Sequence, residues 1–169
     1  MEATDLRREL ELLHADSFGW ALSCCRQRKD DAEEVLQTAY MKVLAGRAKF
    51  EGRSTFRTWF FGVIRRTASE QQRRRWLRDK LLTQWFAGQP LRLSGAAAAS
   101  ETGVDGSLLR SALSRLPERQ RQVLHLVYYQ DLTVEQAAGV LGVSIGTART
   151  HFDRGKRRLR QLLAPQEAR

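Results

Sequence analysis

The side chains best equipped for chemistry in this sequence are cations, and most of their excess lies in two windows. Residues 147–160 contain six Lys or Arg and one Asp, whereas residues 65–80 contain seven Lys or Arg and two acidic residues. Each window has a net charge of +5, so together they match the formal net charge of the whole chain, +10. Positive charge concentrated in this way predicts a surface that binds a polyanion such as nucleic acid.

The C-terminal window lies in a helix-turn-helix pattern over Leu132 to Leu163. Gly142 permits a sharp turn, and Thr133 and Ser144 are suited to cap the two helices. Gly155 predicts a second helix of low intrinsic stability, because a mid-helix glycine costs about 1 kcal/mol relative to alanine. On the outer face of that helix, we expect the residues of the first turns to contact base edges and the later cations to contact phosphates. These DNA-binding candidates are Thr147, Arg149, Thr150, His151, Arg154, Lys156, Arg157 and Arg158.

Helices must position these cations, because apolar residues recur at helical spacing through most of the chain. The spacing predicts a first helix over about Thr4 to Arg26. A second helix is predicted to start at an Asp30 cap, to end near Gly46 and to bury both Tyr40 and Leu44.

Ser54 is predicted to open a third helix whose core face includes Trp59 and Phe60. Leu81 to Phe86 continue at helical spacing, either as an extension that packs on the first domain or as a segment that binds a partner. The Ala, Ser and Gly residues that follow predict a linker. We therefore expect an all-α fold in which two small helical domains, an N-terminal helical bundle and a C-terminal helix-turn-helix domain, are joined by a flexible linker. The predicted boundaries are 1–80, a linker at 81–107, a domain at 108–163 and a tail at 164–169.

Composition argues against several other classes. The two cysteines, Cys24 and Cys25, are adjacent, so a disulfide between them is improbable and packing is their expected role, with a redox sensor as the alternative. We expect no metal site, no cofactor and no catalytic activity, because no ligand cluster, glycine-rich phosphate loop or nucleophile motif is present. No apolar run reaches the roughly 20 residues that span a bilayer, so we expect a cytoplasmic protein without membrane insertion.

Both halves resemble one family, the two-domain bacterial sigma factors of the extracytoplasmic-function type. DDAEEVLQTAYMKVL, FEGRSTFRTWFFGVI and QQRRRW are similar to region 2 of that family, and the stretch from LSRLPERQ to RRLRQLL is similar to region 4. The resemblance covers roughly residues 5–78 and 108–163. It implies a sigma factor that directs core RNA polymerase to promoters with −35 and −10 elements and aids promoter opening. It also implies an anti-sigma factor as a regulator.

The resemblance assigns roles to particular residues. The helix that begins DAEE would dock on the polymerase through Glu33, Glu34, Leu36, Gln37 and Tyr40, although Leu36 and Tyr40 could instead fill the core. The −10 strand would contact Phe50, Arg65, Arg66, Thr67, Gln71, Arg73, Arg74 and Arg75, and the −35 element would contact the candidates on the C-terminal helix.

Some positions depart from the family pattern, in which Asn is common at Thr67, Asp at Gln71 and Arg at His151. The base preferences of relatives are therefore not transferred to this chain. Two other classes remain open at this point: a stand-alone activator with a helical sensor domain, and a recombinase that uses the helix-turn-helix for targeting.

Overall fold

The computed structural model describes residues 3–85 and 104–164 of the chain. These residues form eight α-helices and no strand: α1 (Ala3–Leu12), α2 (His14–Cys24), α3 (Lys29–Leu44), α4 (Phe56–Trp85), α5 (Val104–Ser114), α6 (Glu118–Tyr128), α7 (Val134–Leu141) and α8 (Ile145–Leu163). They group into two compact units, of which the first contains 3–51 and 63–85 and the second contains 52–62 and 104–164. The predicted all-α fold with two helical domains is confirmed. Most of the predicted linker and tail lie outside the described residues.

The first helix of the prediction is two helices in the structure. The chain leaves helical geometry at Leu13, where φ is −90° and ψ is 1°, and α2 starts at the next residue. Leu10 on α1 and Trp20 on α2 are both buried. The sequence does not indicate this break, because no glycine or proline stands there and the apolar spacing continues across it.

α3 begins two residues earlier than predicted, and its predicted cap is wrong. Arg28 precedes the first helical residue, and no side chain caps the backbone there. Val35, Ala39 and Val43 are buried as their spacing predicts, but Leu44 is 51% exposed. The inward stripe of α3 is therefore narrower than the prediction.

α4 is a single helix of 30 residues that contains the N-terminal basic window. Its cap is Thr55 rather than Ser54, because Thr55 Oγ1 accepts a hydrogen bond from the backbone N–H of Thr58 at 3.2 Å. Phe60 is fully buried and Trp59 half-buried, which confirms their predicted place on the core face. The predicted extension after residue 80 belongs to this same helix up to Trp85, and the rest of it lies outside the described residues.

The second unit contains the predicted helix-turn-helix as α7 and α8. Thr133 forms a capping box with Gln136, and Ser144 caps α8 through the backbone N–H of Thr147 at 3.1 Å. Gly142 has a φ of 62° and ends α7 in the left-handed conformation, which glycine adopts without a steric penalty. These local predictions are confirmed.

Candidate nucleic-acid interfaces

The outer face of α8 carries most of the side chains predicted to contact DNA. Ala148 and Gly155 are buried on the inner face, and Phe152 between them packs against Tyr128, so the positions on the other side of the helix form the outer face. The exposed candidates are Thr147, Arg149, Thr150, Arg154, Arg157 and Arg158, whereas His151 and Lys156 are half-buried. The helix therefore presents six of the eight predicted residues to solvent.

Two threonines of this face are engaged with their own helix. Thr147 Oγ1 lies 2.8 Å from the Oγ of Ser144, and Thr150 Oγ1 donates to the carbonyl of Gly146 at 2.9 Å. Each hydroxyl oxygen has a second lone pair, and the hydroxyl hydrogen can rotate. Both residues can accept or exchange a hydrogen bond without leaving the helix surface.

Arg149 is joined to the first helix of the motif. Its Nη2 lies 2.7 Å from Oε1 of Glu135 on α7. The hydrogen bond from Arg149 is the main reason that the pKa of Glu135 is lowered from its ordinary value. Both side chains are about half exposed, 64% for Arg149 and 48% for Glu135, so this ion pair adds little to stability. In the free chain, the contact directs the guanidinium toward α7.

The later cations of α8 differ in how firmly they are held. Lys156 Nζ lies 3.2 Å from Asp153 and 4.3 Å from the centroid of the Phe152 ring. Arg157 and Arg158 are exposed on the same part of the helix. This arrangement leaves two guanidinium groups on the surface for phosphates.

In the first unit, α3 and α4 enclose a groove of about 840 Å³. Its lining combines exposed apolar side chains, Met41 and Leu44, with the basic residues Arg47, Arg74 and Arg78. The groove therefore has a mixed lining, in which α3 supplies the exposed apolar side chains and α4 supplies most of the cations.

Arg75 ties the two helices of this groove together. Its guanidinium forms ion pairs with Asp31 and, at 3.0 Å, with Glu34, both on α3. The hydrogen bond to Asp31 is the largest cause of the raised pKa of Arg75. Asp31 is only 13% exposed, so this pair is partly shielded from water. Arg75 therefore has a structural role in the free chain.

A second link between α3 and α4 involves Lys42. Its Nζ donates to Glu70 Oε2 at 2.7 Å and to Thr67 Oγ1 at 3.2 Å. Thr67 is 1% exposed, so a direct contact with a DNA base would require the helices to separate. Gln71 is half-buried and donates to Thr38 at 3.4 Å.

The other −10 candidates lie nearer the surface. Arg66, Arg73 and Arg74 are exposed on α4, and Phe50 and Arg65 are half-buried. The structure thus separates the predicted −10 set into surface cations and residues that hold α3 against α4.

The polymerase candidates on α3 are divided in the same way. Glu33, Glu34 and Gln37 are exposed, whereas Leu36 is 4% exposed and belongs to the core. Tyr40 is half-buried, its hydroxyl lies 3.0 Å from His14 Nδ1, and burial raises its pKa.

Sequence reasoning missed two exposed residues of α3, Met41 at 56% and Leu44 at 51%. They follow Glu34 and Gln37 at steps of seven and seven residues, so the four side chains share one face of the helix. The signal was present as an apolar pair outside the core stripe of α3.

The cysteines lie in the core of the first unit. Cys24 is 2% exposed and Cys25 is 3% exposed. Burial, with a smaller contribution from Asp31, raises the pKa of the Cys25 thiol to about 11. Packing is therefore favoured over the redox alternative, because the reactive form of a cysteine is the thiolate.

Two further properties concern ligands and membranes. Within 3–85 and 104–164, no group of three or more His, Cys, Asp or Glu is arranged to hold a metal ion. No helix among the described residues has the length and apolarity needed to cross a membrane.

Comparison with known proteins matches both units to one family. Residues 11–78 match sigma-70 region 2, and residues 107–159 match sigma-70 region 4. RNA polymerase sigma factor YlaC of Bacillus subtilis is 29% identical over 139 residues, which cover 78% of this chain and 77% of YlaC. ECF RNA polymerase sigma factor EcfG of Rhodopseudomonas palustris is 26% identical over 136 residues, covering 79% of this chain and 72% of EcfG.

A solved structure is similar over nearly the whole length. The sigma factor RpoE from Bartonella quintana, in complex with the anti-sigma factor NepR, is 27% identical with a TM-score of 0.75, covering 96% of this chain and 98% of that chain. Regions 2 and 4 in this order define the class of the sigma-70 proteins. The chain belongs to this family as an extracytoplasmic-function, or group IV, sigma factor and acts with RNA polymerase in transcription initiation.

This membership decides between the three classes left open by the sequence. The N-terminal half is region 2, neither the sensor domain that an activator needs nor the catalytic domain that a recombinase needs.

Proposed function

We propose that the chain divides promoter recognition between its two units and adds no chemistry of its own. The exposed face of α3 binds core polymerase, the cations of α4 follow the opened −10 strand, and α8 enters the major groove of the −35 element. The polymerase supplies the catalytic step. Because the polymerase and promoter DNA are its targets, the chain acts in the cytoplasm.

One observation carries this proposal. Both family modules are present, and each contains an exposed basic helix with a net charge of +5 over its basic window. A protein that only binds duplex DNA needs one such surface. Two surfaces of separate type suit a protein that holds a promoter at two points.

The polymerase face is proposed from exposure and chemistry. One exposed face of α3 carries two polar residues followed by two exposed apolar residues, Glu34, Gln37, Met41 and Leu44. Apolar anchors with a polar rim are the composition of a protein interface. Leu36 is not part of this face because it is buried, and it supports the helix from within.

The DNA-binding division follows from the local geometry. In α8, Arg149 is oriented by Glu135, which suits a side chain that reads a base edge, whereas Arg157 and Arg158 suit phosphates. In α4, Arg66, Arg73 and Arg74 suit the sugar-phosphate backbone of a single strand.

Two consequences concern affinity and regulation. Each unit offers only a small basic surface, so strong promoter binding requires the polymerase to hold both units on one DNA molecule. The similar RpoE structure contains an anti-sigma factor, which supports an anti-sigma factor as the regulator of this chain as well.

The polymerase face is tested by placing a charge on it. Met41→Glu should weaken binding of the full chain to purified core RNA polymerase by about tenfold or more. The substitution would place an unpaired charge where the complex buries an apolar side chain. Binding is measured by fluorescence anisotropy of the labelled chain.

The matched control is Leu12→Glu, because Leu12 is also an apolar helical residue and is 71% exposed on α1. That variant should bind core polymerase as the parent chain does. Equal affinity of the two variants would show that α3 does not provide the polymerase surface.

A further inference from the structure

α4 has two differently used faces in the first unit. The residues that line the groove with α3 recur at 67, 70, 71, 74, 75 and 78, which is one side of the helix. Arg66, Arg73 and Lys80 lie on another side of the helix, and all three are exposed. The basic window is therefore not one patch but two.

The outer cations form a straight row. Arg66, Arg73 and Lys80 are spaced seven residues apart, which is nearly two helical turns, so the spacing along the axis is about 10 Å between neighbours. No acidic residue occupies positions 66, 69, 73, 76, 77 or 80, which make up this face, and Glu70 at its border pairs with Lys42. A row of like charges of this length matches a polyanionic chain that runs along the helix.

Trp76 stands in this row between Arg73 and Lys80. It is 60% exposed, and Lys80 Nζ lies 5.2 Å from the centroid of its ring. Trp20, by contrast, is fully buried and belongs to the core. An aromatic ring between cations is the arrangement by which proteins hold single-stranded nucleic acid.

We propose that Trp76 is a stacking site for an unpaired DNA base, with Arg66, Arg73 and Lys80 binding the phosphates of the same strand. The inference deepens the proposed −10 function and rests on it, because it names the residue of α4 that contacts a base. The ligand is single-stranded DNA rather than duplex, since only an unpaired base offers its π-face to the indole. The positive charge of the row favours this occupant over an apolar protein surface.

The test uses the full chain and a fluorescein-labelled oligothymidine of about 20 nucleotides, because stacking is tolerant of sequence. At low salt, Trp76→Ala should weaken binding of this strand by about 5- to 150-fold, which is the range for loss of one stacked base. Trp76→Phe should keep most of the affinity, because the phenyl ring can still stack. Affinity for the same strand annealed to oligodeoxyadenosine should change less than twofold in either variant.

A spectroscopic readout identifies the ring. Addition of the oligothymidine should quench tryptophan emission of the parent chain, and Trp76→Phe should lose that quenching while it keeps its affinity. The salt dependence identifies the row: Arg73→Ala should reduce the slope of log affinity against log salt by about 0.7, the value for one phosphate of a single strand.

Leu81→Ala is the matched control, because Leu81 is an exposed apolar residue of the same helix, at 57%, and lies outside the row. It should bind the oligothymidine as the parent chain does. Equal affinities of Trp76→Ala and Leu81→Ala, or no measurable strand binding by the parent chain at low salt, would overturn the proposal. A loss of core polymerase binding by Trp76→Ala, with strand binding unchanged, would also overturn it by identifying a protein contact.

Binding to core polymerase is measured in parallel for the parent chain. If the parent chain binds polymerase and initiates transcription but Trp76→Ala binds the strand normally, only the stacking site is wrong. If the parent chain fails to bind polymerase, the proposed function fails, whatever the strand assay gives.

Discussion

Arg149 and Arg158 lie on one helix but have different surroundings, and we expect them to serve different purposes. Arg149 pairs with Glu135, whereas Arg158 is exposed about two and a half turns further along α8. A guanidinium held in one direction can form paired hydrogen bonds with a base edge, and an exposed one can follow a phosphate.

Arg149→Ala should therefore reduce discrimination at one base pair of the −35 element by about 1–3 kcal/mol. Arg158→Ala should weaken all sequences equally and lower the salt slope by about 0.9, the value for one phosphate of duplex DNA. Both are measured as binding of the polymerase-bound chain to a promoter and its single-base variants at several salt concentrations. The reverse pattern would mean that the face of α8 is assigned wrongly.

The Cys25 thiol provides a second prediction at the residue scale. Its pKa is raised from 9.0 to about 11, so at pH 8 the thiolate should be about 100-fold rarer than in the unfolded chain. Alkylation by iodoacetamide, followed by mass spectrometry in a Cys24→Ala background, should be slower in the native protein by at least this factor. A native rate within tenfold of the unfolded rate would restore the redox alternative.

At the scale of elements, Gly155 is a packing residue of the α6–α8 contact. A Cβ added there would lie 3.1 Å from Leu124 Cδ1 and 3.3 Å from the Cβ of Gln120. The glycine that lowers the intrinsic stability of α8 thus allows α8 to approach α6 closely. The sequence-based view of a weak recognition helix is incomplete, because tertiary packing offsets the lost propensity.

Gly155→Ala should accordingly give little or no gain in the free energy of unfolding, and Gly155→Leu should lose about 1–3 kcal/mol through overpacking. Gly146→Ala on the same helix is the control, since its nearest neighbour would be Ser144 Oγ at 4.0 Å. That variant should gain roughly 0.5–1 kcal/mol from helix propensity. Urea denaturation measures all three, and equal gains for the two alanine variants would refute close packing at Gly155.

The ion pair between Arg75 and Asp31 joins α4 to α3, and we expect it to stabilise the packing of these two helices. Asp31→Asn, which removes this pair together with the 2.6 Å pair between Asp31 and Arg28, should lower the free energy of unfolding by about 1–3 kcal/mol, between the values for exposed and buried pairs. Lys29→Ala is the comparison, because the Lys29–Glu33 pair is long, 3.8 Å, and well exposed. Its loss should cost less than about 0.5 kcal/mol in the same denaturation experiment. Equal costs would show that Arg75 does not hold the helices together.

Sequence patterns predicted those elements whose signals are local. Thr133, Ser144 and Gly142 were found because a cap or a left-handed turn depends on a few neighbouring residues. The break at Leu13 was missed because no residue type marks it. The sequence left open whether the segment after residue 80 extends the third helix, and α4 continues through it to Trp85. Such features depend on packing between helices.

The candidate site divides along the same line. Sequence reasoning placed the cations on the right helices, since charge and periodicity can be read directly. It could not separate Arg75, which is ion-paired, from Arg73, which is exposed, or recognise that Thr67 is buried. Those distinctions depend on which face of α4 meets α3.

At the scale of the whole molecule, we expect the two basic surfaces to bind the same DNA molecule. Each surface alone resembles that of a weak, salt-sensitive DNA-binding protein. When the polymerase holds both units, the second DNA contact becomes intramolecular. Its high effective concentration then raises the affinity without a larger contact area. We therefore expect promoter selection to be a property of the complex with polymerase.

Transcription from fragmented bacterial genomic DNA by purified core RNA polymerase, with and without the chain, tests this most directly. Sequencing of the transcript 5′ ends should reveal start sites that require the chain and share two upstream elements at a fixed separation. Arg149→Ala should change the preferred bases of the upstream element only. If the chain directed no initiation with core polymerase, or if its start sites shared only one element, the two-point account would be contradicted.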